Sequence, residues 1–425
     1  MAATGKKVVQ FFDKVVESYE EQAIVIPLVK HFNPGNEDMQ NSGDVAWQSV
    51  EQHAPIIDGF DTTGQETDII QETVPMALGT PKNDVVEQRV DDLRDPQFWD
   101  RRAKVSGKRQ VAELNKGILS LINSAGSLYY NTASVSGFDA IGEAGVILDQ
   151  RQKAEDGRVC MLNPSDNFKF ASDLAGRQTF AGRPENAYGK GSLGLEVGDF
   201  MAYKSSSNPT IVGNVLPDAA TTATLSDKPE GGSENSATNT VTNIDYRFST
   251  IAVPSANYSV GDKVQFDLAA GGSVLSIGLH DKTISDRPIT ATIVAKPDGA
   301  SITVYPKIIA LDDPATTALD KAYANVDTQI ISGTTVTKIN NFAGNRTANL
   351  FWCKDAIQVT GGNAPLGLLN EYGGMKVIST TMSNGQIMYM AYDGDINTLK
   401  FKMRVFTWYG ITMLDPSACG SFTLS

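Results

Sequence analysis

Residues 90–126 read VDDLRDPQFWDRRAKVSGKRQVAELNKGILSLINSAG. Asp95 is a favoured helix N-cap, and Pro96 stands at the first helical position, where its missing N–H costs nothing. Phe98, Trp99, Val105, Val111, Leu114, Ile118, Leu121 and Ile122 recur at helical spacing and make an apolar stripe. Gly126 falls where a helix C-terminus favours glycine. The spacing predicts one long helix from Asp95 to Ser124. Gly107 and Gly117 lie inside it at about 1 kcal/mol each against alanine, so a slightly bent helix is expected. Arg101, Arg102 and Lys104, followed by Lys108 and Arg109, form a basic face. It could meet phosphates; as a solvated face it would pair with Asp91, Asp92 and Asp100.

Upstream, Val8, Val9, Phe12, Val15, Val16 and Tyr19 give a short amphipathic helix. His31 to Gly43 reads as an extended linker. A terminal helix on a linker is either an arm that needs another surface or an element packed on its own domain. Between Asp44 and Val86, Val45, Trp47 and Val50 lead into a two-stranded excursion. Ile69, Val74, Met76 and Leu78 lead out, and the turn-forming IDGFDTTGQ, 57–65, lies between. Two strands alone are marginal in water, so this is an intersubunit arm or a hairpin folded back on its domain.

Downstream, helices are expected over Phe138–Lys153 and from Pro164 to Gly176, with a strand at 158–163. Composition shifts near 215. Leu216 to Thr242 is rich in Ala, Thr, Ser, Asn and Gly and reads as a flexible loop. YRFSTIAV, DKVQFDL, ITATIVAK and SITVYPKI follow as short strands, which suggests a small β-barrel or sandwich inserted at about 216–335. MKVISTT, QIMYMAY and LKFKMRVFTWYGI alternate as an antiparallel sheet does. The class is α+β.

The chain has 425 residues, with 49 acidic against 36 basic, a net charge of -13. That balance disfavours a sequence-independent grip on nucleic acid. Cys160, Cys353 and Cys419 match no zinc, redox or disulfide spacing. His31, His53 and His280 lie far apart in sequence, so a histidine metal site is not expected. The first 22 residues lack a signal-peptide apolar core, and no apolar run is long enough to span a membrane. Gly189, Gly191 and Gly194 match GxGxxG, but a strand rather than a helix follows, so a loop is expected. Asp393, Asp395 and Asn397 begin like a calcium loop, but Thr398 and Arg404 stand where Gly and Glu are needed. No catalytic set, metal or cofactor is expected.

Seven stretches carry a resemblance: WQSVEQHAP (47–55), EQRVDDLRDPQFWDRR (87–102), RPENAY (183–188), KAYANVDTQI (321–330), NLFWCKDAIQV (349–359), DGDINTL (393–399) and FTWYGITMLDPSA (406–418). In this order they resemble the major coat protein of the short-tailed phages typified by Salmonella phage P22; about 216–300 is least similar. The resemblance implies the Hong Kong 97 type capsid fold. Its parts would be an N-terminal arm (1–43), an E-loop (44–86), a spine helix with peripheral and axial segments (87–215), an inserted β-barrel or I-domain (216–335) and a β-rich C-terminal part (336–425).

It implies a structural protein, not an enzyme. Copies would form hexamers and pentamers of an icosahedral shell around double-stranded DNA, without sequence-specific binding. Scaffolding and portal proteins would be partners, and the virion capsid, assembled in the host cytoplasm, the location. The family's scaffold contact falls on Asp13, with Glu17 beside it. The intersubunit E-loop tip falls on Asp58, Gly59, Phe60 and Asp61. The two-fold loop of the insert keeps Glu230 and Glu234, but 230–243 has no Lys or Arg, so its charge pairs do not carry over. No covalent crosslink is implied. A β-rich adhesin or tail protein, or an enzyme with a β insertion, are the alternatives; the first leaves the long helix and the arm unexplained, and the second has no visible site.

Overall fold

The computed structural model describes residues 2–33, 45–64, 66–89, 97–153, 156–176, 193–194, 196–235, 240–364, 376–395 and 400–425. Asp95, Pro96, most of the 31–43 linker, RPENAY, Gly189, Gly191 and Asn397 lie outside them. The chain divides into two compact units: Met1–Ala46, Met76–Ile118 and Ile357–Thr412 make the first; Trp47–Pro75, Leu119–Ala356 and Met413–Ser425 make the second.

In the first unit, helix α1 spans Ala2–Gln22 and buries Val8, Phe11, Phe12, Val15 and Tyr19. It lies against the N-terminal part of α2, Phe98–Ala125, the long helix the sequence predicts. The choice between free arm and packed helix is thus settled for the isolated chain in favour of packing. Gly107 is where the helices cross: a Cβ there would stand 2.6 Å from the Val15 carbonyl oxygen and 3.0 Å from Ser18 Cβ. The Ser18 hydroxyl donates to the Lys104 carbonyl at 3.1 Å, and Phe11 meets Trp99 edge-on at 5.3 Å. The glycine that costs helix propensity is the one that lets the backbones touch.

The expected C-terminal sheet is present, with strands in the order Lys376–Thr381, Ile387–Asp395, Lys400–Thr407 and Lys82–Arg89, all antiparallel. The last of these was not foreseen: KNDVVEQR is too polar to read as a strand. Its pairing with Lys400–Thr407 makes it one, aided by ion pairs from Lys400 and Lys402 to Glu87. Asp393 and Asp395 belong to the second strand of this sheet, so a calcium-loop conformation is not adopted there. A further strand, Lys30–Phe32, runs parallel to Ile357–Gly361.

The second unit holds the end of α2, which stops at Ala125 with Gly126 N–H donating to the Ile122 carbonyl. A six-stranded mixed sheet follows, in the order Leu128–Thr132, Cys419–Leu424, Asn349–Cys353, Arg158–Leu162, Phe200–Lys204 and Glu196–Val197. Helices α3, Gly137–Gln150, and α4, Pro164–Ala175, accompany it. α4 begins with Pro164 at the first helical position, as the sequence indicates, while Asn163, read as the end of the strand, instead caps the Asp166 N–H.

The insert is a second six-stranded sheet, in the order Ala219–Ala220, Thr335–Lys338, Lys263–Asp267, Thr290–Ala295, Ser301–Tyr305 and Ser249–Ala252. Thr222 N–H donates to the Ala252 carbonyl at 2.8 Å, which closes its two edges into a barrel. Val253, Tyr258, Val264, Phe266, Ile293, Ile302 and Val304 fill it. Its last strand reaches Lys338, past the 335 boundary read from composition. Most of 216–235, read as flexible from its small polar residues, is tied down by backbone bonds such as Leu225 N–H to the Ile330 carbonyl.

Candidate assembly surfaces

Asp13 and Glu17 sit one turn apart on the exposed face of α1. Glu20 and Glu21 continue that face, and Glu20 accepts the Ser383 N–H at 2.8 Å. Periodicity alone puts these acids opposite the Phe12–Val15 stripe. What the sequence did not indicate is that the arm's apolar side is already used within the chain, which leaves its acidic side outward.

Arg101 and Lys104 are exposed on α2, but Arg102 turns inward to a partly buried ion pair with Asp84. Asp100 pairs with Lys14 of α1 instead of a base on its own helix. The basic face is therefore narrower than the sequence suggests. Asp91 and Asp92 lie outside the described residues.

The 44–86 excursion has a short paired root and a long irregular remainder. Val45–Ser49 pairs with Thr73–Ala77, and Val50 N–H donates to the Glu72 carbonyl at 3.0 Å. From 51 to 72 the described residues form no strand, which corrects the expectation of two long strands. Asp58, Gly59, Phe60 and Asp61 lie at the exposed tip, where Phe60 and Ile56 are almost wholly open to solvent. The tip has its own turn chemistry. Asp61 accepts both the N–H and the hydroxyl of Thr63, at 3.0 and 2.6 Å. These bonds hold its carboxyl below the usual range. Gly59 has φ +116, a conformation that favours glycine.

At its root the excursion meets the insert. Tyr323, in the AYANV stretch just after helix α5, Ala318–Ala322, bridges both legs: its hydroxyl accepts the His53 N–H at 3.0 Å and donates to the Ile70 carbonyl at 3.1 Å. Ile70 packs against the cluster of Ile277, Ile309, Tyr323 and Ala324. The His53 ring stands edge-on to Tyr323 at 5.1 Å and to His280 at 5.9 Å. Two of the three histidines, remote in sequence, are thus neighbours, though no cluster of metal-binding type exists among the described residues. Burial pushes the His53 pKa down, as do the charges of Lys282, His280 and Lys153, while Glu51 acts the other way. Sequence reading missed this cluster; the one signal for it was the AYANV motif itself.

Glu230 is exposed just before a hairpin of Ser233–Asn235 with Thr240–Thr242, and Glu234 falls on the hairpin's first strand. The base of this hairpin also touches the excursion, through Gly232 N–H to the Gln71 carbonyl. Of the GxGxxG match only Gly194 is described, with φ +98; a two-residue strand, Glu196–Val197, lies just beyond it. The three cysteines are buried free thiols. No helix among the described residues is long and apolar enough to cross a membrane.

Comparison with known proteins adds the following. A family model described as "P22 coat protein - gene protein 5" matches residues 1–423. Among solved structures, the chain is similar to one of Mycobacterium phage Che8 at 11% identity and TM-score 0.45, covering 94% of this chain and 91% of that one. It is similar to one from the capsid of Cyanophage P-SCSP1u at 11% identity and TM-score 0.45, covering 94% and 86%. A third likeness is to the CUS-3 coat protein I-domain, at 25% identity and TM-score 0.23, covering 30% of this chain and 99% of that one.

Proposed function

Because this chain belongs to the P22 coat protein family, and so is a phage capsid protein, we propose that it builds a scaffold-dependent procapsid that matures around double-stranded DNA. Its copies form hexamers and pentamers, a portal protein occupies one vertex, and assembly takes place in the bacterial cytoplasm. The segments act as arm (1–43), E-loop (44–86), spine helix with peripheral and axial parts (87–215), I-domain (216–335, with its last strand continuing to Lys338) and C-terminal sheet region (336–425).

The observation that carries this reading is the E-loop: its apolar tip, Ile56 and Phe60, is almost wholly open to solvent among the described residues. Apolar groups presented on an extension gain by burial against another surface, and in a shell that surface is the next copy. Asp58, Gly59 and Asp61 shape the tip for that contact. Asp13 and Glu17 offer carboxylates to a basic segment of the scaffolding protein, and Glu20 and Glu21 prolong the stripe. Glu230 and Glu234 face a neighbour across two-fold axes through polar groups instead of charge pairs. Arg101 and Lys104 lie on a solvated face, while Arg102 braces Asp84. A net charge of -13 keeps the shell from holding packaged DNA by counterion release.

The scaffold contact is tested by reversing the stripe. Asp13→Lys with Glu17→Lys should leave monomer stability within about 0.5 kcal/mol, since both side chains are exposed. Scaffolding protein co-sedimenting with the coat should fall about tenfold. Unchanged co-sedimentation at low and moderate salt would remove the arm from the scaffold site.

A further inference from the structure

The E-loop is not simply an extension. Both of its legs are fastened to the insert by one hydroxyl, that of Tyr323, through His53 N–H and the Ile70 carbonyl. Tyr323 is itself held from behind. Lys282 Nζ donates to the carbonyls of Ala322 and Ala324, on either side of it, at 2.7 and 2.9 Å. His280 is fixed in turn, its N–H donating to Gln152 Oε1 at 2.7 Å. A loop whose tip is uncovered is thus given a set direction at its root, and that direction is set by a domain inserted more than a hundred residues later in the chain.

We propose that Tyr323 is a latch by which the inserted barrel aims the E-loop of its own chain, and that His53 beside it, packed against His280, opens the latch as the medium becomes acidic.

The charges around the pair set the sign. His53 faces Lys282 and His280 of the insert, Lys153 from the segment after α3, and Glu51 of its own leg. Burial is the main force against a charge on His53; Lys282, His280 and Lys153 add to it, and Glu51 opposes it. The closed latch therefore disfavours protonation of His53. A histidine whose folded pKa is depressed contributes stability that is full above its ordinary value, about 6.5, and is lost as pH falls below it. Protonation would place an imidazolium beside the Lys282 ammonium that holds Tyr323. Glu72, on the other leg, titrates in the opposite sense: burial raises its pKa, against the pull of Lys307 and Arg247 and with the help of Asp245. The histidine effect is therefore isolated by changing the histidines and leaving Glu72 in place.

The purpose of the latch rests on the coat reading, but its existence does not. It is read on the unassembled full chain by amide hydrogen exchange, corrected for the intrinsic pH dependence. Tyr323→Phe keeps the ring and removes the hydroxyl, so exchange in 50–56 and 68–72 should rise about tenfold at pH 7.5 while the barrel strands stay protected. In the wild type the same segments should exchange several-fold faster at pH 5.5 than at 7.5. His53→Gln with His280→Gln keeps the backbone donor and should flatten that response. Exchange in Tyr323→Phe equal to wild type would overturn the latch. A pH response that persists in the double histidine variant would overturn the switch. Loss of shell formation alone would bear on the coat reading and leave the latch standing.

Discussion

Gly107→Ala sets two known magnitudes against each other. In an open helix position the change favours folding by about 1 kcal/mol, because glycine loses more backbone entropy on becoming helical. Gly142, inside α3, is such a position, with nothing within 4 Å of a new Cβ. Gly107 is the reverse case: its Cβ would meet the Val15 carbonyl oxygen at 2.6 Å and Tyr19 N at 3.0 Å. Both obstacles are backbone, so neither can rotate aside, and α1 must move off α2 by several tenths of an ångström. Overpacking of this kind costs about 1–3 kcal/mol, and it loosens the packing of Phe11, Phe12, Val15 and Tyr19. The net expectation for Gly107→Ala is a loss of up to about 2 kcal/mol, against a gain of about 0.5–1 kcal/mol for Gly142→Ala. Urea unfolding of the monomer, followed by circular dichroism, measures both. A gain in both variants would refute the close crossing of α1 and α2, and with it the packed arm.

Three further outcomes follow from single side chains. Lys263 is fully buried and donates to the Asn123 and Gly126 carbonyls at the end of α2, at 2.6 and 3.0 Å, and to Thr292. Lys263→Met should cost about 1–3 kcal/mol at pH 7. Because burial lowers the folded pKa to about 7, the folded state binds fewer protons than the unfolded chain above that pH. Wild type should therefore gain on the Met variant between pH 7 and 9 in urea titrations; a constant gap would contradict it. Asp84→Asn removes the partner of Arg102, a partly buried pair, and should lower the urea midpoint by the equivalent of about 1–3 kcal/mol, screened little by 0.5 M salt. Phe60→Ser should leave monomer stability unchanged within about 0.5 kcal/mol yet reduce the yield of closed particles in assembly reactions. A destabilised monomer would mean that Phe60 packs on its own chain.

The elements legible in the sequence are those whose signals are local. Pro164 starts α4, Gly126 follows the end of α2, and the alternation of Lys376–Thr381 and Ile387–Asp395 is that of a half-buried sheet. Lys82–Arg89 was not legible, because its strand character comes from a partner some three hundred residues away; Val85, one of its two valines, is exposed to solvent. Gly107 looked like a defect since the reason for it lies in α1. The length of the E-loop was visible, but not that only its root is paired. Tyr323, His53 and His280 carry no mutual spacing signal: three segments remote in the chain meet only in the fold. Of the proposed assembly residues, Asp13 and Glu17 needed only helical periodicity to be placed outward, whereas Arg102 separated from its neighbours because Asp84 stands on a strand no local pattern revealed.

The central claim is that this chain forms closed shells, and the mass of what it forms tests that most directly. The chain would be expressed with its scaffolding protein and sedimented, and the fast fraction imaged in negative stain. The account predicts uniform closed particles containing hundreds of copies of a 45.6 kDa chain, with aberrant or irregular ones when the scaffold is left out. A small monodisperse species in both preparations, or an open fibre, would contradict it.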